Sequence, residues 1–186
     1  ELDGKGFIKI DSRECTTAEG VYALGDVVDR PQLTPVAIKA GRALGNRLFG
    51  PTADHKADRM NYNNIATVVF SHPPVGVVGL TQAEAEAKYG ADNIKCFRSV
   101  YTNMFFALLP ADDAHREQTG VKMVCEGPEQ RVRGLHIIGM GADEMLQGFA
   151  MGVRLALPKV EFDQTCAIHP TSAEEVVTIT GLPPPP

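Results

Sequence analysis

Apolar and polar positions follow two different periods in this chain. Residues 1–10 alternate in the manner of a hairpin arm, with Gly6-Phe7-Ile8-Lys9-Ile10 after the turn dipeptide Asp3-Gly4. Val21-Tyr22-Ala23-Leu24 is a short apolar run that predicts a buried strand ending in Gly25-Asp26. From Leu33 the spacing turns helical. Thr34 stands as N-cap with Pro35 in the first turn, and Ala37, Ala40, Leu44 and Leu48 recur on one face. Gly50-Pro51 stops the run. Residues 50–62 are polar and irregular, which places a domain boundary there and makes His55 a solvated linker residue.

Past that boundary period two dominates. Ala66–Phe70 and Val75–Leu80 read as strands around the turn Ser71-His72-Pro73-Pro74. Thr81-Gln82-Ala83-Glu84 is a capping box that opens a short helix ending at Gly90. Strands follow at 93–102, 120–126 and 131–140, the last two joined by the turn Gly127-Pro128-Glu129-Gln130. Gly141 to Leu157 is a helix with Asp143 and Glu144 at its positive end. Met145, Phe149, Val153 and Leu157 form its apolar stripe, and Met145 and Met151 read as core. The expected class is α+β, an antiparallel sheet with helices on one side, preceded by a strand–helix piece. The expected domains are 1–59, 60–180 and a disordered proline-rich tail at 181–186.

Composition narrows the function classes. The 186 residues are 44% hydrophobic and 22% charged, an ordinary globular balance with room for a sizeable core. A formal net charge of -5 argues weakly against a polyanion partner and no basic run overturns it, so no nucleic acid is expected. No apolar run approaches the roughly 18 residues of a membrane span, so no membrane is expected. Cys15, Cys96, Cys125 and Cys166 are scattered, with no C-x-x-C pair. That supports neither a metal site nor a redox dithiol, and reads as buried reduced thiols in an intracellular protein. The chain opens at Glu1 without a signal-like segment, as an internal piece of a longer protein would.

Candidate chemistry concentrates in residues 165–175, Thr-Cys-Ala-Ile-His-Pro-Thr-Ser-Ala-Glu-Glu. His169 precedes a proline, Thr171 is a candidate cap, and Glu174 and Glu175 fall in the first turn of the helix expected there. Imidazole titrates near physiological pH, and a neighbouring carboxylate can fix its tautomer. One reading is therefore a proton-donating His169–Glu174 pair. The other is a plain capping box, Glu174 returning to the backbone of Thr171. The residues alone leave both open.

His-Pro-Thr-Ser-Ala-Glu-Glu resembles the C-terminal active-site signature of the flavin-dependent disulphide reductases, the glutathione reductases among them. The resemblance extends over Thr16 to Phe49, which carries Gly-Val-Tyr-Ala-Leu-Gly-Asp, Leu-Thr-Pro-Val-Ala-Ile and Ala-Gly-Arg, and over the sheet pattern to about residue 180. It implies that His169 is the acid/base, oriented by Glu174. Asp26, with Gly25 before it, would bind the ribityl chain of FAD, and Thr34 would lie near the flavin ring. Val68 would lie near the nicotinamide, and the cofactor contacts would also include His169. Arg42, Met104 and Glu175 fall at substrate-contact positions, and cis peptides are implied at His169–Pro170 and His72–Pro73.

The resemblance also implies a dimer of identical subunits in which His169 serves the partner's disulphide. Electrons would come from NADPH through FAD and a cysteine pair to glutathione disulphide. Its four carboxylates suit the guanidinium of Arg42 as a bidentate clamp. No Gly-x-Gly-x-x-Gly turn and no close cysteines occur here, so the chain reads as the C-terminal part of such an enzyme. Trypanothione reductases carry a small residue where Arg42 stands, and large thioredoxin reductases a redox pair near the C-terminus. These relatives, and a purely structural dimerisation module, are the alternatives. Gln32 stands where relatives have leucine, and Thr180 where they have arginine. Residues 25–50 look most like fungal members, which implies a cytoplasmic protein, with mitochondria as a further location.

Overall fold

A computed structural model describes residues 1–180. The proline-rich tail lies outside the described residues. The chain divides into two compact units, Glu1–Asn63 and one beginning at Asn64.

In the first unit the sequence's arm and strand shrink to isolated bridges, Leu2 with Ile8 and Cys15 with Tyr22. Val21 is exposed and only Ala23 of the expected buried strand is in the core. The dominant element is α1, Thr34–Phe49. Its N-cap is Leu33 rather than Thr34, with extended backbone and no side-chain cap, so Thr34 is the first helical residue and Pro35 the second. The buried face also differs from the expected one and runs through Val36, Ala40, Ala43 and Arg47. Arg47 is inside because Glu14 is too. Its guanidinium lies 3.2 Å from the Glu14 carboxylate, and both side chains are almost fully buried. Tyr62 donates to the second Glu14 oxygen. Removing one partner would leave an unpaired buried charge, so the pair is structural.

Residues 50–62 are not uniformly irregular. Helix α2, Ala53–Ala57, forms with Thr52 as cap and packs on α1. His55 is half-buried in it, its Nδ1 2.6 Å from the Thr52 hydroxyl, and is no solvated linker residue.

The second unit is a five-stranded antiparallel sheet in the order β1-β2-β5-β4-β3. The strands are β1 Thr67–Val69, β2 Val75–Gly79, β3 Ile94–Thr102, β4 Gln118–Glu126 and β5 Arg131–Ile138. One face builds the core from Val78, Phe97, Val121, Met123, Leu135 and Ile137. Alternation along β4 and β5 puts these side chains on one side and Lys122 and His136 on the other. Helix α4, Ala142–Arg154, covers the apolar face with Leu146 and Val153, while Met145 and Phe149 lie half-buried beside them. Met151, expected in the core, is exposed. Gly152 gives α4 a bare patch: a methyl group there would sit 2.6 Å from the Phe162 ring. Phe162 belongs to α5, Lys159–Asp163, a helix too short to show a period in the sequence.

Helix α3, Gln82–Tyr89, is capped by a complete capping box on Thr81 and Glu84 and stopped by Gly90 at φ 88°. It adds to the expected layering by covering part of the opposite sheet face. There the Gln82 side-chain oxygen accepts from Arg98 and Lys122, which are cross-strand neighbours. The last element is α6, Glu174–Val177, which packs against α5.

Candidate functional site

His169 sits in residues 164–173, a stretch without helix or strand between α5 and α6. Both implied cis peptides, His72–Pro73 and His169–Pro170, are present. Thr171 is not the N-cap that the sequence suggests. The helix starts at Glu174, with Ala173 at the cap position. Glu174 is consequently the first helical residue, and its carboxylate is turned to His169, with Oε2 2.9 Å from Nδ1. The His169 side chain is 76% exposed and Glu174 only 15%. Thr171 retains half of a capping arrangement: its hydroxyl accepts from the Glu174 N–H at 3.3 Å and donates to the carbonyl of Ile168 at 2.6 Å.

This stretch is tied to the sheet by residues that the sequence did not single out. The Tyr101 hydroxyl donates to the carbonyl of Ser172 at 2.8 Å. The Met104 N–H donates to the Ser172 hydroxyl at 3.2 Å, which places the predicted substrate residue Met104 beside the segment. The Ser99 hydroxyl donates to Glu175 at 3.0 Å. Asn103 is buried and braces the turn under Met104, donating to Thr119 and to the carbonyl of Met140. The one sequence signal for these ties was the polar residues in β3 on positions that alternation assigns to the apolar face.

Burial and the nearby Glu175 carboxylate push the Tyr101 phenol up to about 12, so it stays a donor throughout the neutral range. Burial pushes the Cys125 thiol up to about 12, and it also raises Cys96, so neither is a thiolate near neutrality. Val68, on edge strand β1, packs its side chain against the core.

In the first unit, Gly25 and Asp26 open a 3₁₀ turn, Gly25–Val27, that packs against α1. Gly25 has φ 73°, and a methyl group there would meet only Ala37 at an ordinary 3.6 Å. The backbone conformation, rather than lack of room, is what asks for glycine. Asp26 is exposed and finds no hydrogen-bonding partner among the described residues. Arg42 is likewise exposed on α1 without an ion-pair partner among them, unlike Arg47 five positions on. Thr34 is exposed at the helix start. A cleft of about 610 Å3 around Asp29, Arg30, Arg59 and Tyr62, and an apolar groove of about 320 Å3 on the open sheet face near Val75, Val100 and Ile138, contain none of the predicted site residues.

Fold and site together define an α+β domain that presents a carboxylate-backed histidine to solvent. Residues 65–180 match the dimerisation domain of the pyridine nucleotide-disulphide oxidoreductases, and residues 1–41 match the pyridine nucleotide-disulphide oxidoreductase family. The chain belongs to that family.

Proposed function

We propose that this chain is the C-terminal part of an NADPH-dependent glutathione-disulphide reductase, working as a homodimer. The observation that carries the reading is the 2.9 Å contact between Glu174 Oε2 and His169 Nδ1. An ionised carboxylate only accepts, so Nδ1 holds a proton and Nε2 is left as the nitrogen that exchanges with substrate. A cysteine thiolate from elsewhere in the complete polypeptide attacks one sulphur of glutathione disulphide. One S–S bond breaks as a mixed disulphide forms, and the departing glutathione thiolate takes its proton from Nε2. The ring is left neutral, still donating from Nδ1 to Glu174.

The residues present fit a flavin. Gly25 turns the chain so that Asp26 offers an unpaired, exposed carboxylate, an acceptor for the hydroxyls of a ribityl chain. Thr34 and the uncapped start of α1 would stand beside the ring system, and the Val68 segment beside the nicotinamide. When bound, FAD relays electrons from NADPH to the cysteine pair.

Substrate choice rests on Arg42, exposed and unpaired among the described residues, with Met104 and Glu175 as further contacts. A free guanidinium suits a substrate with four carboxylates. The test is Arg42→Ala in the complete enzyme. KM for glutathione disulphide rises by a factor matching one charge-assisted hydrogen bond, about 1.5–3 kcal/mol, while flavin reduction by NADPH keeps its rate. An unchanged KM would remove glutathione disulphide as the inferred substrate and leave another disulphide reductase of the family as the reading.

A further inference from the structure

We propose that Tyr101 is a positioning residue for the acid–base pair, holding the backbone of residues 169–174 at the geometry that sets Glu174 against His169. The inference rests on the acid role given to His169 above. Among the described residues His169 has a single side-chain partner, Glu174, and its side chain is largely open to solvent. The placement of its ring therefore depends on the backbone that carries both residues. That backbone has no helix or strand of its own from 164 to 173. Within it, Thr171 makes only local bonds among the described residues, to Ile168 and Glu174. The ties that reach it from the sheet end on Ser172, midway between the two members of the pair: the Tyr101 hydroxyl on the carbonyl and the Met104 N–H on the hydroxyl.

Tyr101 is suited to this role by its own mounting. It lies in β3 opposite Thr119 of β4, inside a nine-pair ladder, and its ring packs against the core cluster. The phenol is thus a fixed post, with its donor oxygen delivered at the surface. Ser99, two residues back on the same strand face, holds the Glu175 carboxylate. The two hydroxyls of one strand therefore clamp the segment at 172 and at 175. Phenylalanine would fill the same space and lose the hydroxyl with its grip on Ser172 and its contact with Thr119.

The experiment is Tyr101→Phe in the complete flavin-loaded enzyme, beside His169→Ala and Ser99→Ala. Tyr101→Phe is expected to lower kcat for glutathione disulphide about five- to tenfold, the effect of one net hydrogen bond at the reacting geometry. KM and the rate of flavin reduction by NADPH should stay near their original values, and the thermal midpoint should fall by no more than the few °C of one hydrogen bond. Ser99→Ala frees a substrate-contact carboxylate instead, and should raise KM more than it lowers kcat. A Tyr101→Phe enzyme with unchanged kcat overturns the inference. So does one in which kcat, flavin reduction and thermal midpoint fall together, since that is general loosening. Normal turnover in His169→Ala would sink the acid role itself, and the role of Tyr101 with it. An impaired His169→Ala enzyme beside a normal Tyr101→Phe enzyme sinks only the role of Tyr101.

Discussion

Two stretches of this molecule spell the same local instruction, Thr-x-x-Glu, and reach different ends. At Thr81–Glu84 the helix begins at once, at Gln82, so Glu84 is its third residue. From there the carboxylate reaches back to the Thr81 N–H at 2.8 Å while the Thr81 hydroxyl accepts from the Glu84 N–H at 3.3 Å. At Thr171–Glu174 the hydroxyl makes the same bond at the same 3.3 Å, yet the helix begins three residues later, at Glu174 itself. A carboxylate on the first helical residue is not placed for the reciprocal bond, and this one meets the His169 ring instead. What differs is the company. Ser172 is held by the sheet, through Tyr101 and Met104, in a turn that delays the helix. A capping box is a local device, whereas the second motif is set by residues about seventy positions away.

The contrast can be broken or sharpened by exchanging the same groups in both places. His169→Ala should have the largest effect, lowering turnover of glutathione disulphide by roughly 10²–10⁴, as general acid–base groups do, while stopped-flow reduction of the flavin proceeds normally. Glu174→Gln comes next. Glutamine keeps the shape but removes the ionised acceptor, and because the ring is largely exposed the loss in turnover should be roughly tenfold, read by steady-state kinetics. If that variant turned over like the parent, Glu174 would be no more than a helix-start residue. Thr81→Ala should act on stability alone: about 1 kcal/mol lost, a thermal midpoint lower by about 2–4 °C, and unaltered turnover. Smallest of all is Glu84→Gln, which a capping box accepts and which should leave both melting and kinetics near their starting values. Kinetic loss in Glu84→Gln equal to that in Glu174→Gln would erase the distinction between the two motifs.

Much of the second unit was legible because its strands are half-buried, and alternation reports that directly. Val121, Met123, Leu135 and Ile137 face the core where period two puts them. Thr81 and Gly90 bounded α3 through their own chemistry. The largest failure has a partner far away in sequence, and others come from exposure or shortness. The stripe of α1 was displaced because Arg47 is buried against Glu14, and no local pattern puts an arginine inside. Met151 looks like core by composition but lies on the outer side of α4. Helix α5 holds too few residues to display a period, and owes its seat to Gly152 opposite Phe162. At the site, His169 and Glu174 were visible together because five residues separate them. Tyr101 and Ser99 were not, since an apolar-face polar residue says that it has a partner without saying which.

The distance between Tyr101 and Ser172 also has a meaning in time. A nascent chain emerges from its N-terminal side. These two positions are 71 apart, and the stretch between them contains all of β4, β5, α4 and α5. The strand that grips the histidine segment, together with β4 and β5, is therefore synthesised before the segment itself. Synthesis thus runs sheet first and acid last. The proton donor is a late piece added to a scaffold whose strands all precede it in the chain.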